Sequence, residues 1–251
     1  MTISKEDLAE FALRLGDDSL IHAQRLCEWT SHAPMLEEDI AIANTGLDYL
    51  GRARYFLQYA GNLLNKNEDT LAFLRDASEY RNLLIVELPR GDFAVCMVRQ
   101  YLLDEFECAY FDALQYSTDP QIAAIAAKTV KEVAYHLRRS REWMRRFGLG
   151  TDESRHRAQT ALDELWGYVS EFFITDELEA GLVEAGVAVD RSSLEAAWRH
   201  RIGELLAETG LHQPDDSWKV TGGREGIHTE HLGHMLGEMQ FLQRAYPGLE
   251  W

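Results

Sequence analysis

The sequence predicts an all-α protein built on a few long helices, and three observations carry that prediction. Apolar residues recur with helical period along nearly the whole chain. Only five prolines interrupt 251 residues, at Pro34, Pro89, Pro120, Pro214 and Pro247, so long stretches run without a breaker. The one strand-like run, "LLIVEL", stands alone. A solitary strand has nothing to pair with, so the run reads as a helix or an extended connector.

The elements follow in chain order. Ser4 and Asp7 resemble a capping box for a helix of about 5–30, whose apolar stripe runs through Leu8, Phe11, Leu15, Ile21 and Leu26 to Trp29. A second helix, about 35–60, follows Pro34 with Leu36, Ile40, Ala43, Leu47, Leu50, Ala53 and Leu57 on one face, and ends near Gly61. "NKNEDT" is a loop, and "EDTLAFLRDAS" is a short helical piece leading into "EYRNLLIVELPRGD". Asp92 caps a helix of about 92–117 carrying Phe93, Met97, Tyr101, Phe106, Tyr110 and Leu114. Asp119-Pro120 pairs an N-cap with proline at the first helical position and opens a helix of about 120–147. C-terminal helices fill about 152–245. One is capped by Thr151 and runs through Trp166 to Phe173, two shorter ones lie near Glu177–Glu184 and Ser193–Thr209, and the last spans about Thr229–Ala245. No linker rich in Pro, Gly and Ser divides the chain, so 1–251 reads as a single domain. Short loops make the first two and the next two long helices antiparallel pairs, with a crossover of roughly thirty residues between the pairs. That is the arrangement of a ferritin-like four-helix bundle core with additional C-terminal helices.

Composition limits the function classes. Against 42 acidic residues stand 25 cations, only five of them lysine, for a net charge of −17. Such a surface repels nucleic acid and anionic membranes and suits a basic partner. Cys27, Cys96 and Cys108 are odd in number, lie in apolar helical runs, and read as buried free thiols of a reducing compartment. The N-terminus carries no basic-then-apolar signal, and no apolar run reaches membrane-span length, so the expected location is cytoplasmic.

The bundle arrangement invites a test for a di-metal site, which takes a Glu from each of two helices and Glu-x-x-His from each of the other two. On the second helix the corresponding residues are Asp48 and Gly51: the carboxylate is shortened and the imidazole is gone. On the fourth, Glu132-x-x-Tyr135 holds the spacing and His136 is displaced by one residue, about 100° around the axis. Glu28 on the first helix, and Asp104, Glu105 or Glu107 on the third, supply carboxylates. Buried carboxylates paired with Arg or His136 are the leading account of this pattern; a di-iron site, or a single metal shared by Glu132 and His136 at i,i+4 spacing, stays open. A second cluster, His228, His231 and His234, sits at three-residue spacing but has no clear fourth ligand, and such a trio is more often a partly exposed helix start than a metal site. "TGGREG" reads as a plain turn or, on the other reading, as a phosphate cradle. Arg138, Arg139, Arg141, Arg145 and Arg146 pair with neighbouring carboxylates or form an anion or partner surface. No Ser/His/Asp or Cys/His constellation stands out, so no residue is assigned as catalytic.

Four stretches carry a resemblance: "LRLGDDSLIHAQRLCEWTSHAPMLEEDIAIANTGLDYLGRAR", "EDTLAFLRDASEYRNLLIVELPRGDFA", "AAKTVKEVAYHLRRSREWMRRFGLGTD" and "TGGREGIHTEHLGHMLGEMQFLQR". In order, and over nearly the whole chain, they resemble the structural C subunits of phenylacetyl-CoA 1,2-epoxidase complexes. The resemblance implies a ferritin-like fold and a non-catalytic role in aerobic phenylacetate degradation. It also implies that the di-iron centre belongs to a related catalytic subunit, and that the complex draws on oxygen and on NADPH through a reductase. On this reading Asp48, Gly51, Glu132, Tyr135 and His136 are positions of a degenerate site, and this chain binds no cofactor itself. An acyl-CoA lies near the subunit junction, and Glu79, Tyr80, Arg81 and Asn82 form the nearest segment. The chain would hold the catalytic subunit's helices in place and self-associate when that partner is missing. An independent ferritin-like metalloenzyme and a scaffold for another acyl-CoA oxygenase stay open as alternatives.

Overall fold

A computed structural model describes residues 3–249. Among them there are eleven α-helices, short 3-10 turns and no strand. Contacts divide the chain into two compact units: one of 1–89 with 222–251, the other of 90–221.

The first unit is built on a hairpin of α1 (Lys5–Cys27) and α2 (Leu36–Leu64). The Ser4–Asp7 capping box opens α1, and Asn65 in the left-handed conformation ends α2, one turn beyond Gly61. Across the hairpin His22 meets Tyr49 edge-on at 4.6 Å, and Arg52 donates Nε to Ser19 Oγ at 2.9 Å. The seam of α2 that packs here is made of Ile42, Thr45, Gly46, Tyr49, Ala53 and Phe56. The stripe picked out by periodicity lies mostly elsewhere: Leu36, Ile40, Leu47 and Leu50 are 71%, 53%, 62% and 44% exposed. Only its last members, Ala53 and Leu57, are buried. α2 carries two apolar seams, and small residues with one ring permit the closer helix crossing.

Past the hairpin come α3 (Glu68–Phe73), a 3-10 turn over Ala77–Glu79 and the single turn of α4 (Leu84–Glu87), which is what "LLIVEL" becomes. The chain returns to this unit at Gly222 with a 3-10 turn over Gly223–Glu225, α10 (Glu230–Met239) and α11 (Phe241–Ala245). The one helix expected over Thr229–Ala245 is broken at Gln240. Its side chain turns inward to the carbonyls of Ala72 and Arg75 and to the Tyr80 hydroxyl.

The second unit pairs α5 (Phe93–Leu114) with α6 (Pro120–Leu149), capped by Asp92 and Asp119. Across them lie α7 (Asp152–Leu165), a 3-10 stretch over Trp166–Phe173, α8 (Glu177–Glu184) and α9 (Glu195–Thr209). Stacked and edge-on contacts among Phe106, Phe172, Phe173, Trp166 and Trp198 fill its core, with ring centroids 5.1 to 6.1 Å apart. The three thiols are free, but only Cys96 is buried, where burial pushes its pKa up to about 12. Cys108 is half-buried and Cys27 exposed, against the expectation for all three.

Candidate functional site

The metal-type positions lie on four helices. On α2, Asp48 is half-buried, and a Cβ built at Gly51 meets nothing within 4 Å. Space for a side chain exists there, and the sequence leaves it empty of a donor. At the C-cap of α1, Glu28 forms an ion pair with Arg25 at 2.5 Å. On α5, Asp104 is wholly buried and accepts from Gln100 Nε2 at 2.6 Å and Ser140 Oγ at 2.7 Å. Burial raises its pKa well above the carboxylate range despite those two donors. Glu105, 1% exposed, gives one oxygen to Arg141 at 2.6 Å and the other to Arg201 at 3.1 Å, tying α5 to α6 and α9. Glu107 is buried as well.

The register of α6 explains the displaced histidine. Its inward face runs Thr129, Val133, His136, Ser140, Met144 and Phe147, while Tyr135 is 51% exposed beneath Arg138. His136 therefore points inward, and the residue three positions before it on that face is Val133, not a carboxylate. Glu132 lies at the edge, 3.8 Å from Lys128. Within each unit the di-iron pattern is broken: in the first an imidazole position is glycine, and in the second an inward carboxylate position is valine and both oxygens of Glu105 hold arginines. Among the described residues no group of three or more His, Cys, Asp and Glu side chains is arranged to hold a metal ion.

The histidines of the C-terminal segment do not converge either. His228 precedes α10 and is buried, whereas His234 is exposed. Nδ1 of His228 meets Glu87 Oε2 at 2.7 Å, and its Nε2 meets the Tyr80 carbonyl at 3.0 Å. Both partners are acceptors, which favours the doubly protonated ring. Burial works against that charge, but the Glu87 and Tyr80 hydrogen bonds with the Glu87 and Asp17 charges outweigh it, and the pKa of His228 is raised. The "TGGREG" turn is shaped by packing: Gly226 has φ +77°, and a Cβ there would strike the Ser78 carbonyl at 2.3 Å.

His228 belongs to a buried polar network that takes in Tyr80 and Asn82 of the 79–82 segment. The fully buried Asp17 forms a bidentate pair with Arg75 and accepts from the Arg81 amide at 2.9 Å. Its neighbour Asp18 accepts from the Leu83 amide at 2.7 Å and from both Nη atoms of Arg224. Glu87, also fully buried, gathers Asn82 Nδ2 at 2.8 Å, His228, and the Thr229 amide at 2.6 Å. Tyr80 donates its hydroxyl to the Ala72 carbonyl and packs under Arg75; burial raises its pKa.

Of the four residues expected near a substrate, Tyr80 and Asn82 are thus framework. Glu79 is exposed, and Arg81 is half-buried with Nε 3.2 Å from Glu10. The network residues Asp17, Asp18, Glu87, Arg224 and Gln240 escaped the sequence reading. Acids inside apolar runs, Asp17-Asp18 within α1 and Glu87 within "LLIVEL", were the available signal.

Known proteins match this chain along its length. It is 50% identical over 245 residues to the C subunit of the 1,2-phenylacetyl-CoA epoxidase of Escherichia coli (strain K12), covering 97% of this chain and 99% of that relative. It matches the phenylacetic acid catabolic protein family over residues 2–251. The all-α architecture accords with the ferritin-like fold of that family. Over essentially its whole length, the chain belongs to the phenylacetic acid catabolic protein family.

Proposed function

We propose that this chain is a non-catalytic structural subunit of a phenylacetyl-CoA 1,2-epoxidase assembly, where it docks on the di-iron catalytic subunit and stabilises it. The observation that carries the reading is the uncovered apolar ridge of α2. Leu36, Ile40, Leu47 and Leu50 follow one another at four-, seven- and three-residue steps over about 21 Å of helix, all exposed. Beside Leu50 a cavity of about 280 Å³ opens, with an apolar lining of Leu20, Ala53, Leu57, Ala72 and Phe73 and with Arg54, Glu68 and Asp69 also lining it. A ridge with an adjoining, mostly apolar socket that also carries charge suits a partner helix.

On this reading the di-iron centre, the oxygen chemistry and the NADPH-dependent reductase belong to the partners, and the chain works in the cytoplasm. No helix among the described residues is long and apolar enough to cross a membrane. An acyl-CoA at the subunit junction would meet Arg81 and Glu79 rather than Tyr80 and Asn82. The same uncovered ridge supports self-association of the isolated chain.

The test is co-purification. Leu47→Glu with Leu50→Glu should leave the thermal melt of the isolated chain near wild type and abolish capture of the catalytic subunit. Retained capture would refute the docking face. Iron content of the purified chain tests the other half: about two irons per chain, the di-iron stoichiometry, would make it a metalloenzyme in its own right.

A further inference from the structure

The outward face of α6 is the chemical opposite of the rest of the chain. From Lys128 to Arg146, seven cationic side chains stand against two acidic ones, in a protein of net charge −17. Part of this charge is consumed locally: Arg141 holds Glu105, Arg145 holds Glu208 and Glu142, and Lys128 faces Glu132 at 3.8 Å. Lys131, Arg138 and Arg146 are exposed, and among the described residues no carboxylate lies within ion-pair distance of them.

Two of these cations are held in the same way. Arg138 lies over the Tyr135 ring with 5.3 Å to the centroid, and Arg146 over the Trp143 ring with 4.9 Å. The aromatic-x-x-Arg unit occurs twice, eight residues apart, which sets Arg146 about 12 Å along the axis and about 80° around it from Arg138, while Lys131 lies within about 20° of Arg138. Contact with a ring face immobilises a guanidinium without using its N–H donors. The side chains are therefore partly ordered before a partner arrives, which lowers the entropy cost of engaging them.

We propose that this ridge, Lys131, Arg138 and Arg146 with Tyr135 and Trp143, is a docking strip for an acidic protein surface on another component of the assembly. The argument for that occupant is charge complementarity: a spaced row of planar donors matches carboxylates. A nucleic acid, charged along its whole length, would also meet the acidic remainder of the chain, whereas a protein surface can be acidic over the strip alone. The inference rests on membership in a heteromeric assembly but not on the α2 docking face, which lies on the other unit.

The experiment immobilises the full chain and measures binding of each purified epoxidase component between about 0.05 and 0.5 M salt. Three proteins are compared: wild type, K131E/R138E/R146E and L47E/L50E, each first shown to melt cooperatively. The expected result is that the triple variant binds one component about tenfold more weakly at low salt and loses its salt dependence, while the α2 variant keeps that contact. The neutral K131Q/R138Q/R146Q variant should fall between. Unchanged affinity and salt slope for every component in the triple variant would overturn the proposal. So would tighter binding of duplex DNA or heparin than of any component, since the strip would then be a polyanion site. Loss confined to L47E/L50E would leave the α2 reading standing and remove this one.

Discussion

Glu87 is fully buried, meets Nδ1 of His228, and accepts from Asn82 and the Thr229 amide. Truncating one member of such a pair leaves a charge uncompensated. Glu87→Ala should therefore cost about 3–5 kcal/mol, read as a lower urea midpoint, and Glu87→Gln should cost less. The raised pKa of His228 has a definite sign. Its stabilising contribution is complete below the ordinary value of 6.5 and is lost as pH rises through the folded-state value. Melting temperature of the wild type should fall across that window more steeply than that of His228→Gln; parallel curves would refute the linkage. Asp104 has the same pH sense but a different protonated form, neutral rather than charged. Its pKa is raised by burial, so the neutral acid is favoured in the fold and Asp104→Asn should change stability by no more than about 1 kcal/mol. A large loss on that substitution would mean the ionised carboxylate is needed there.

At the scale of elements, close helix approach decides more than hydrophobicity does. Gly148 on α6 sits where a Cβ would lie 2.4 Å from the Thr209 carbonyl at the end of α9. Gly148→Ala should push the two helices apart and cost about 1–3 kcal/mol, visible as a lower melting temperature with an unchanged helical signal. The two seams of α2 show the same rule. Leu36, Ile40, Leu47 and Leu50 stayed outside, and the seam of Ile42, Thr45, Gly46, Tyr49 and Ala53 packed on α1. Caps, by contrast, acted locally: Ser4, Asp92, Asp119 and Thr151 each open the helix that their side chains predict, because a cap needs only its own next three residues.

At the scale of the whole chain, the first unit is closed by residues separated by some two hundred positions. Arg224 meets Asp18 across 206 residues, and Gln240 meets Ala72 across 168. Without residues 222–240, Asp18 keeps only the Leu83 amide and Glu87 only Asn82 among these partners; the Arg224, His228 and Thr229 contacts come from the end of the chain. A chain truncated after Thr221 should therefore lack a cooperative transition for the first unit, while the second unit, 90–221, contains its own aromatic core. Persistent amide protection in α1 of the truncated chain would contradict this.

The sequence by itself determined the helical class, the capped starts of the long helices, and the loss of donors at Gly51. These depend on residue type and on neighbours within a turn. It also carried the family resemblance, since that is a property of the string. Tertiary structure decided which seam of α2 is buried, that Val133 rather than Glu132 shares the inward face with His136, and that Tyr80, Asn82 and His228 serve one buried network. Each of those outcomes turns on which distant segment packs against a helix. Periodicity names the faces of a helix, but only packing chooses among them.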